Sequence, residues 1–274
     1  MDNGRSKMEE VKSNHQRLII RMSNRGMSFS TVNADGEVEY VPYIMNSSIS
    51  TAANLREAMH TESILNENYA SVLVMVDSPT TMIPLELFSE AEQEQLYRHS
   101  FGDNNMITVM HYVLPELNSV ALFAVNKDFR TVVTDHFTTV RFMPAVAPVW
   151  NHAHHRSYTG PKEKLYCYFH LHTMEVFAFR QSRFRFCNSF SVSNADDALY
   201  FLLSVWKQLS MAADHDELHL SGEQPWGAEL QEKAAEFLKR VYVVNPVGEY
   251  NRAPVTKISG MPYDLMTLYV RGGK

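Results

Sequence analysis

Cysteine is scarce, with only Cys167 and Cys187 in 274 residues. Both fall in β-rich stretches, where a free thiol behaves as a small hydrophobe. So few thiols in a chain of this size point to a reducing, cytoplasmic compartment rather than a disulfide framework. A bridge between the neighbouring strands that carry them is geometrically open, but the compartment argument disfavours it. Long apolar runs are missing as well. None approaches the ~18 residues of a membrane-crossing helix, so no membrane insertion is expected. The opening stretch MDNGRSKMEEVKSNHQR has no apolar core, which argues against a secretory signal and assigns 1–17 as a polar tail. Nor is there an excess of positive charge. With 25 Lys and Arg against 31 Asp and Glu, the net charge of −6 gives no broad basic surface for nucleic acid. There is no H-E-x-x-H motif, no Cys/His pairing at zinc spacing and no Ser nucleophile elbow.

What is present is material for a core. Hydrophobic residues make up 45% of the chain and charged residues 20%, the balance of a globular protein of one large domain or two ordinary ones. LIIRMSNRGMSFSTVNADGEVEYVPYIM, residues 18–45, alternates apolar and polar residues and breaks at Ser23-Asn24-Arg25-Gly26 and at Asn33-Ala34-Asp35-Gly36, so it reads as three antiparallel strands. Leu55, Ala58, Met59 and Leu65 then share a helical face. SVLVMV, residues 71–76, reads as a strand buried on both sides. TTMIPLELF follows as an edge strand, because Pro84 cannot donate to a ladder. Ser89 and Glu92 have the spacing of a capping box for the next helix. Two strands over 106–125, a short amphipathic helix and an extended stretch with two prolines complete the first half.

NHAHHRSYTGPKEK, residues 151–164, is polar and contains Gly-Pro, so it is assigned as a linker. Beyond it the order repeats. LYCYFHLH, EVFAFRQ and RFRFCNSFSV read as a three-strand meander. A helix follows, with Asn194 as its cap, Asp196 and Asp197 in its first turn, and an apolar stripe through Leu199, Leu202 and Trp206. ELHLSGE reads as a strand, WGAELQEKAAEFLKRV as a helix, YVVN as a last buried strand and GMPYDLMTLYV as a closing helix. First strands start near 18 and 165, first helices near 52 and 195, and the next strands near 72 and 216. These offsets of about 147, 143 and 144 agree within the few residues to which sequence-based boundaries are good. The halves are therefore 18–150, with an inserted segment at about 77–140, and 165–274.

This duplicated βββαβα order resembles the actin-like ATPase fold, also called ribonuclease-H-like, an α/β architecture of mixed sheets with helices on both faces. Actin, sugar kinases and the actin-like proteins of bacterial cell division and pilus assembly share it. SVLVMVDSPTTMIPLELFSEAEQEQL is similar to the strand, Pro-containing segment and S-x-x-E helix start of the pilus-assembly branch. VALFAVNKDF is similar to the strand and helix that follow there. The resemblance spans roughly 18–270 and rests on pattern and order. It also suits an uncharacterised bacterial family of this fold with no assigned activity.

The resemblance implies ATP between the halves, with a hairpin turn of each half at the phosphates, a carboxylate ordering Mg²⁺ and a Gly-rich strand end at the adenosine. Backbone N–H groups approach phosphate closely only where glycine permits, and the cation needs a carboxylate. Carried onto this chain, the first turn is Ser23, Asn24 and Gly26, without an Asp. The second turn has His170 where the family has Asp and His172 where it has Gly. The adenosine strand ends in Ser221, Gly222 and Glu223, with one glycine in place of two. Asp77, at the tip of LVMVD, is the acidic residue expected to face the cleft. These nine residues are the expected vestige of a nucleotide cleft, with no catalytic residue among them.

Two other constellations carry a possible chemistry. His152, His154 and His155, with His170, His172, His215 and His219, could suggest a metal, although a polar connector accounts for the first three. Arg180, Arg183 and Arg185 interleave with phenylalanines, as in a single-strand nucleic-acid platform, but a strand with one polar face reads the same. The leading expectation is a degenerate actin-like protein, more scaffold than enzyme, acting by binding a protein partner through the inserted segment around 77–140 and binding nucleotide weakly or not at all. The alternatives are a diverged ATPase or kinase holding Mg-ATP between the halves, and a histidine-based metal enzyme.

Overall fold

The computed structural model describes residues 17–24, 26–158, 160–170, 172–180, 183–223 and 226–271. Residues 1–16 of the expected tail, Arg25 of the first turn and Leu171 of the second lie outside the described residues. The first half runs β1 (Arg17–Met22), β2 (Gly26–Val32), β3 (Val38–Ile44), α1 (Thr51–Thr61) and β4 (Ser71–Val76). It continues through β5 (Thr81–Pro84), α2 (Gln93–Phe101), β6 (Ile107–Leu114), β7 (Ser119–Asn126) and α3 (Lys127–His136) to β8 (Val140–Pro144) and α4 (Ala147–Ser157). The second half is β9 (Lys164–His170), β10 (Thr173–Arg180), β11 (Arg183–Ser191), α5 (Ala195–Gln208), β12 (Glu217–Gly222), α6 (Gly227–Ala235), β13 (Val241–Val243), α7 (Pro246–Glu249) and α8 (Tyr263–Arg271).

Two five-stranded sheets have the same order, β3-β2-β1-β4-β8 and β11-β10-β9-β12-β13. In each, the first three strands form an antiparallel meander, and the first strand also pairs in parallel with the fourth. The duplication expected from the sequence is therefore a duplication of topology. β1 and β9 begin 147 residues apart, at Arg17 and Lys164. The central strands β1, β4 and β9 are buried on both faces, which is why they read as continuous apolar runs. Asn194 caps α5 as expected, accepting from the Asp197 N–H, and α1 and α3 are capped in the same way by Ser50, accepting from the Ala53 N–H, and Asn126, accepting from that of Phe129.

Each sheet buries its outer face under two helices. Leu18, Ile20, Val72 and Val74 pack with Leu55 and Ala58 of α1 and Phe129 and Val133 of α3. Leu165, Cys167 and Leu218 pack with Leu202 of α5 and Leu230 of α6. The inner faces share one core built around α4 and α8, with Ile19, Met75 and Met143 from one sheet and Tyr166, Tyr168 and Phe177 from the other meeting Trp150 and Leu265. β5, β7 and β6 form a separate three-stranded sheet with its own small core of Tyr97, Val120, Leu122 and Ala124.

Several local expectations are corrected. Residues 151–157 are not a polar connector but the body of α4, and His152 and His154 are 3% and 2% exposed against the central core. The prolines at 144 and 148 fit because one ends an edge strand and the other occupies the first turn of a helix, where no N–H is needed. Ser89 makes no side-chain cap, and the helix it was expected to start begins at Gln93. β13 is an edge strand with Tyr242 and Val243 exposed, not a buried one. Cys167 and Cys187 are free and separated by β10, opposite Val176 and Phe177 respectively. Adjacent strand residues point to opposite faces, so the two thiols lie on opposite sides of the sheet and cannot bridge.

Candidate functional site

The C-terminal ends of β1 and β4 face those of β9 and β12 across the junction of the halves, with the start of α8 between them. Period-two alternation places Ile19 and Arg21 on the inner face of β1, and Tyr166, Tyr168 and His170 on the inner face of β9. Arg21 donates from Nε to Asp264 Oδ1 at 2.8 Å and from Nη2 to Oδ2 at 2.7 Å. The Tyr168 hydroxyl donates to the same Oδ2 at 2.9 Å. Asp264 sits in the first turn of α8, 1% exposed, where the helix dipole also favours a carboxylate. Burial opposes the Arg21 charge, but the Asp264 charge and its hydrogen bonds outweigh it and hold the guanidinium protonated. Burial and the nearby Asp264 push the Tyr168 phenol well up, so it stays a donor.

A second chain of charges runs beside this pair. His170 Nδ1 lies 3.2 Å from Asp77, at the tip of β4. On its other side, Nε2 is 3.6 Å from Glu175 of β10, an ion-pair distance too long for a hydrogen bond. Burial penalises the imidazolium, yet Asp77 and Glu175 prevail and push His170 up to about 10. Burial likewise penalises the Asp77 carboxylate, and the His170 hydrogen bond and charge, with the Arg21 charge, hold it below its usual range. The His170 ring also stacks on Tyr168 at 5.0 Å.

Of the nine residues expected at a nucleotide cleft, the structure joins Asp77 to His170 and places Gly222 and Glu223 beside His170. The others are engaged in the backbone framework or lie apart. The Ser23 N–H and hydroxyl both donate to the Gly26 carbonyl at 3.0 Å, closing the first turn on itself. Asn24 and His172 are exposed on their turns. Ser221 donates to the Cys167 carbonyl at 3.1 Å. Gly222 has φ +85°, and a Cβ there would lie 2.0 Å from the Phe169 carbonyl oxygen, so the close approach of β12 to β9 by itself requires glycine.

Sequence reasoning missed Arg21, Tyr168, Glu175 and Asp264. The available signal was a charge inside a buried strand, Arg21 in LIIRM and Glu175 in TMEVFAF, since such groups are rarely buried unless paired. Between these residues the remaining space is small. One cavity of about 120 Å³ is lined by Arg21, Tyr168, His170, Gly222 and Glu223, and another of about 10 Å³ lies between Asp77, His170, Glu175 and Asp264.

The histidines do not converge. Among the described residues, no three His, Cys, Asp or Glu side chains are placed to hold a metal ion. Instead, several have a carboxylate each: His152 with Glu249 at 2.6 Å, His155 with Glu116 at 2.9 Å, His219 with Glu217 at 3.0 Å and His215 with Asp216 at 3.1 Å. Arg180 and Arg185 both pair with Glu163 rather than lying free for a nucleic acid. Among the described residues, no helix is long and apolar enough to cross a membrane.

A larger groove of about 900 Å³ opens at the opposite, N-terminal ends of β1, β4 and β8. Its floor is the inner face of that sheet, one wall carries Tyr112 and Glu116, and the other is formed by α4 and α8.

Comparison with known proteins bears on this geometry. A solved protein from Bacteroides thetaiotaomicron VPI-5482, described as having an actin-like ATPase fold and unknown function, superimposes with a TM-score of 0.81 at 30% identity, over 88% of this chain and 95% of that one. The PilM–PilN type IV pilus biogenesis complex contributes a chain that matches with a TM-score of 0.58 at 12% identity, over 94% of this chain and 98% of that one. No curated protein matches the sequence. The fold is thus the actin-like ATPase fold that the duplicated element order implied. The family described as "Protein of unknown function (DUF3822)" matches residues 5–241, and the chain belongs to that family.

Proposed function

We propose that this chain is a non-catalytic actin-like protein that works as a protein-interaction module and binds nucleotide weakly or not at all. The observation that carries this reading is the content of the cleft. Arg21 with Asp264, and Asp77 with His170, occupy the junction where a nucleotide of this fold would lie, leaving cavities of about 120 and 10 Å³. Pockets for nucleotide-sized ligands run to roughly 300–1,000 Å³. The one carboxylate at the expected cation position, Asp77, already has a cationic partner in His170. A protein-binding role is supported by PilM, which carries the same fold and is named in complex with PilN. Two free thiols held up by burial suit a reducing compartment, and a cytoplasmic location is part of the proposal.

Calorimetric titration with Mg-ATP and with ADP tests it, and no heat is expected at millimolar nucleotide. Micromolar binding that Glu223→Trp abolishes would instead make the cleft a working nucleotide site and favour a diverged ATPase or kinase, which an assay of phosphate release would then decide.

A further inference from the structure

We infer that the groove at the N-terminal ends of β1, β4 and β8 is a docking channel for an extended acidic peptide segment of a partner protein. The inference rests on the interaction reading and gives that reading a place and a partner chemistry.

Charge is the first argument. Arg17, Arg141 and Arg271 line the groove, all exposed, against a single lining carboxylate, Glu116. Glu116 is already engaged by His155 at 2.9 Å. On a chain of net charge −6 this is a local reversal of sign, the kind of surface that selects an anionic partner. Arg271 is held in place: its Nε donates to His152 Nδ1 at 3.2 Å, and His152, itself buried, is fixed through Nε2 by Glu249 at 2.6 Å. That leaves the outer guanidinium nitrogens to meet a carboxylate, the planar geometry for which arginine is suited.

Shape gives the second argument. β8 ends its five-stranded sheet and β6 ends the three-stranded sheet, and among the described residues neither has a second strand partner. Both contribute to the lining, Arg141 and Met143 from β8 and Tyr112 from β6. β6 and β8 approach each other, so the groove lies where the two sheets meet, and an extended peptide along it would run over both. Side chains of one parity would reach the arginines, and those of the other would meet apolar surface such as Leu73 and Leu268. A compact anion would use the arginines and leave that length of apolar floor uncovered.

The test is selection of a random twelve-residue peptide library on the folded full chain, followed by fluorescence anisotropy of the selected peptides. The expected result is enrichment of Asp and Glu interleaved with apolar residues. Binding should weaken at least tenfold in Arg17→Glu/Arg141→Glu and, independently, in Arg271→Glu, and should weaken with added salt. Unchanged thermal melts of the variants would show that folding is intact. Selected peptides without acidic enrichment, or equal binding by the variants, would overturn the inference. So would arginine-dependent binding of inorganic phosphate, titrated alone, with no peptide selected, since that would make the groove a small-anion site. None of these failures touches the nucleotide titration, so the reading of the cleft as closed to nucleotide stands or falls separately.

Discussion

Arg21 of β1 and Asp264 of α8, 243 residues apart in sequence, share two hydrogen bonds in the interior and tie one half of the molecule to the other. Two buried charges are tolerable only together, because each alone carries an uncompensated desolvation penalty.

Arg21→Met is therefore expected to destabilise the protein by about 3–5 kcal/mol, the cost of leaving a buried carboxylate without its partner. Arg21→Met combined with Asp264→Leu should recover most of that loss. Urea denaturation of the two variants beside the parent checks this. A double variant no more stable than the single one would mean that Asp264 is held mainly by Tyr168 and the helix start.

The His170–Asp77 contact makes stability depend on pH with a definite sign. His170 rises from 6.5 when unfolded to about 10 when folded, so its contribution is complete below about 6.5 and is lost as pH climbs through 10. Asp77 is lowered from 3.8, so its contribution is complete above about 4 and is lost as pH falls further. The contact should be strongest between about pH 4 and 6.5. His170→Gln should lower the melting temperature in that window and flatten its decline between pH 6.5 and 10. An unchanged alkaline slope in the variant would show that other groups govern it.

At Gly222 the expected damage is structural. Gly222→Ala would bring a Cβ to 2.0 Å from the Phe169 carbonyl in a backbone conformation that side chains rarely adopt. The conformational strain by itself costs about 1–3 kcal/mol. Gly36→Ala, at φ +82° with open space around it, carries strain without collision and should cost less. Chemical denaturation of both variants separates the collision from the strain.

The thiols give a separate check on topology. Cys167 is fully buried, and burial raises its pKa well above that of an ordinary thiol. It should resist an aromatic disulfide reagent in the native protein and react once the chain is unfolded. Mild oxidation should leave the mass free of an intramolecular bridge, because β10 separates the two cysteines. A recovered Cys167–Cys187 disulfide would contradict the strand order.

Much of the fold was legible in the chain because its signals are local. Alternation in residues 18–45, the Asp35-Gly36 turn and the Asn194 cap each depend on neighbours a few positions away, and each appears in the structure. Where a signal depended on surroundings, the reading failed. The His-rich stretch at 151–157 looked like a polar loop, yet it is helical and its His152 and His154 face the core, because Glu249, distant in sequence, gives His152 a buried partner. Ser89 and Glu92 had the right spacing for a capping box, but the chain there winds tightly before the helix begins.

The sequence alone determined the duplicated order of strands and helices, since periodicity, caps and turns encode it within short windows. Through the resemblance to the actin-like fold it also marked Asp77 and His170, at the ends of β4 and β9, as residues of one cleft. Only the tertiary structure decided what the cleft contains. The Arg21–Asp264 and Asp77–His170 contacts join strands and a helix from opposite halves, and no local pattern specifies which buried charge will meet which. The groove beneath is likewise a product of packing, formed where a sheet face, an added sheet and two helices meet.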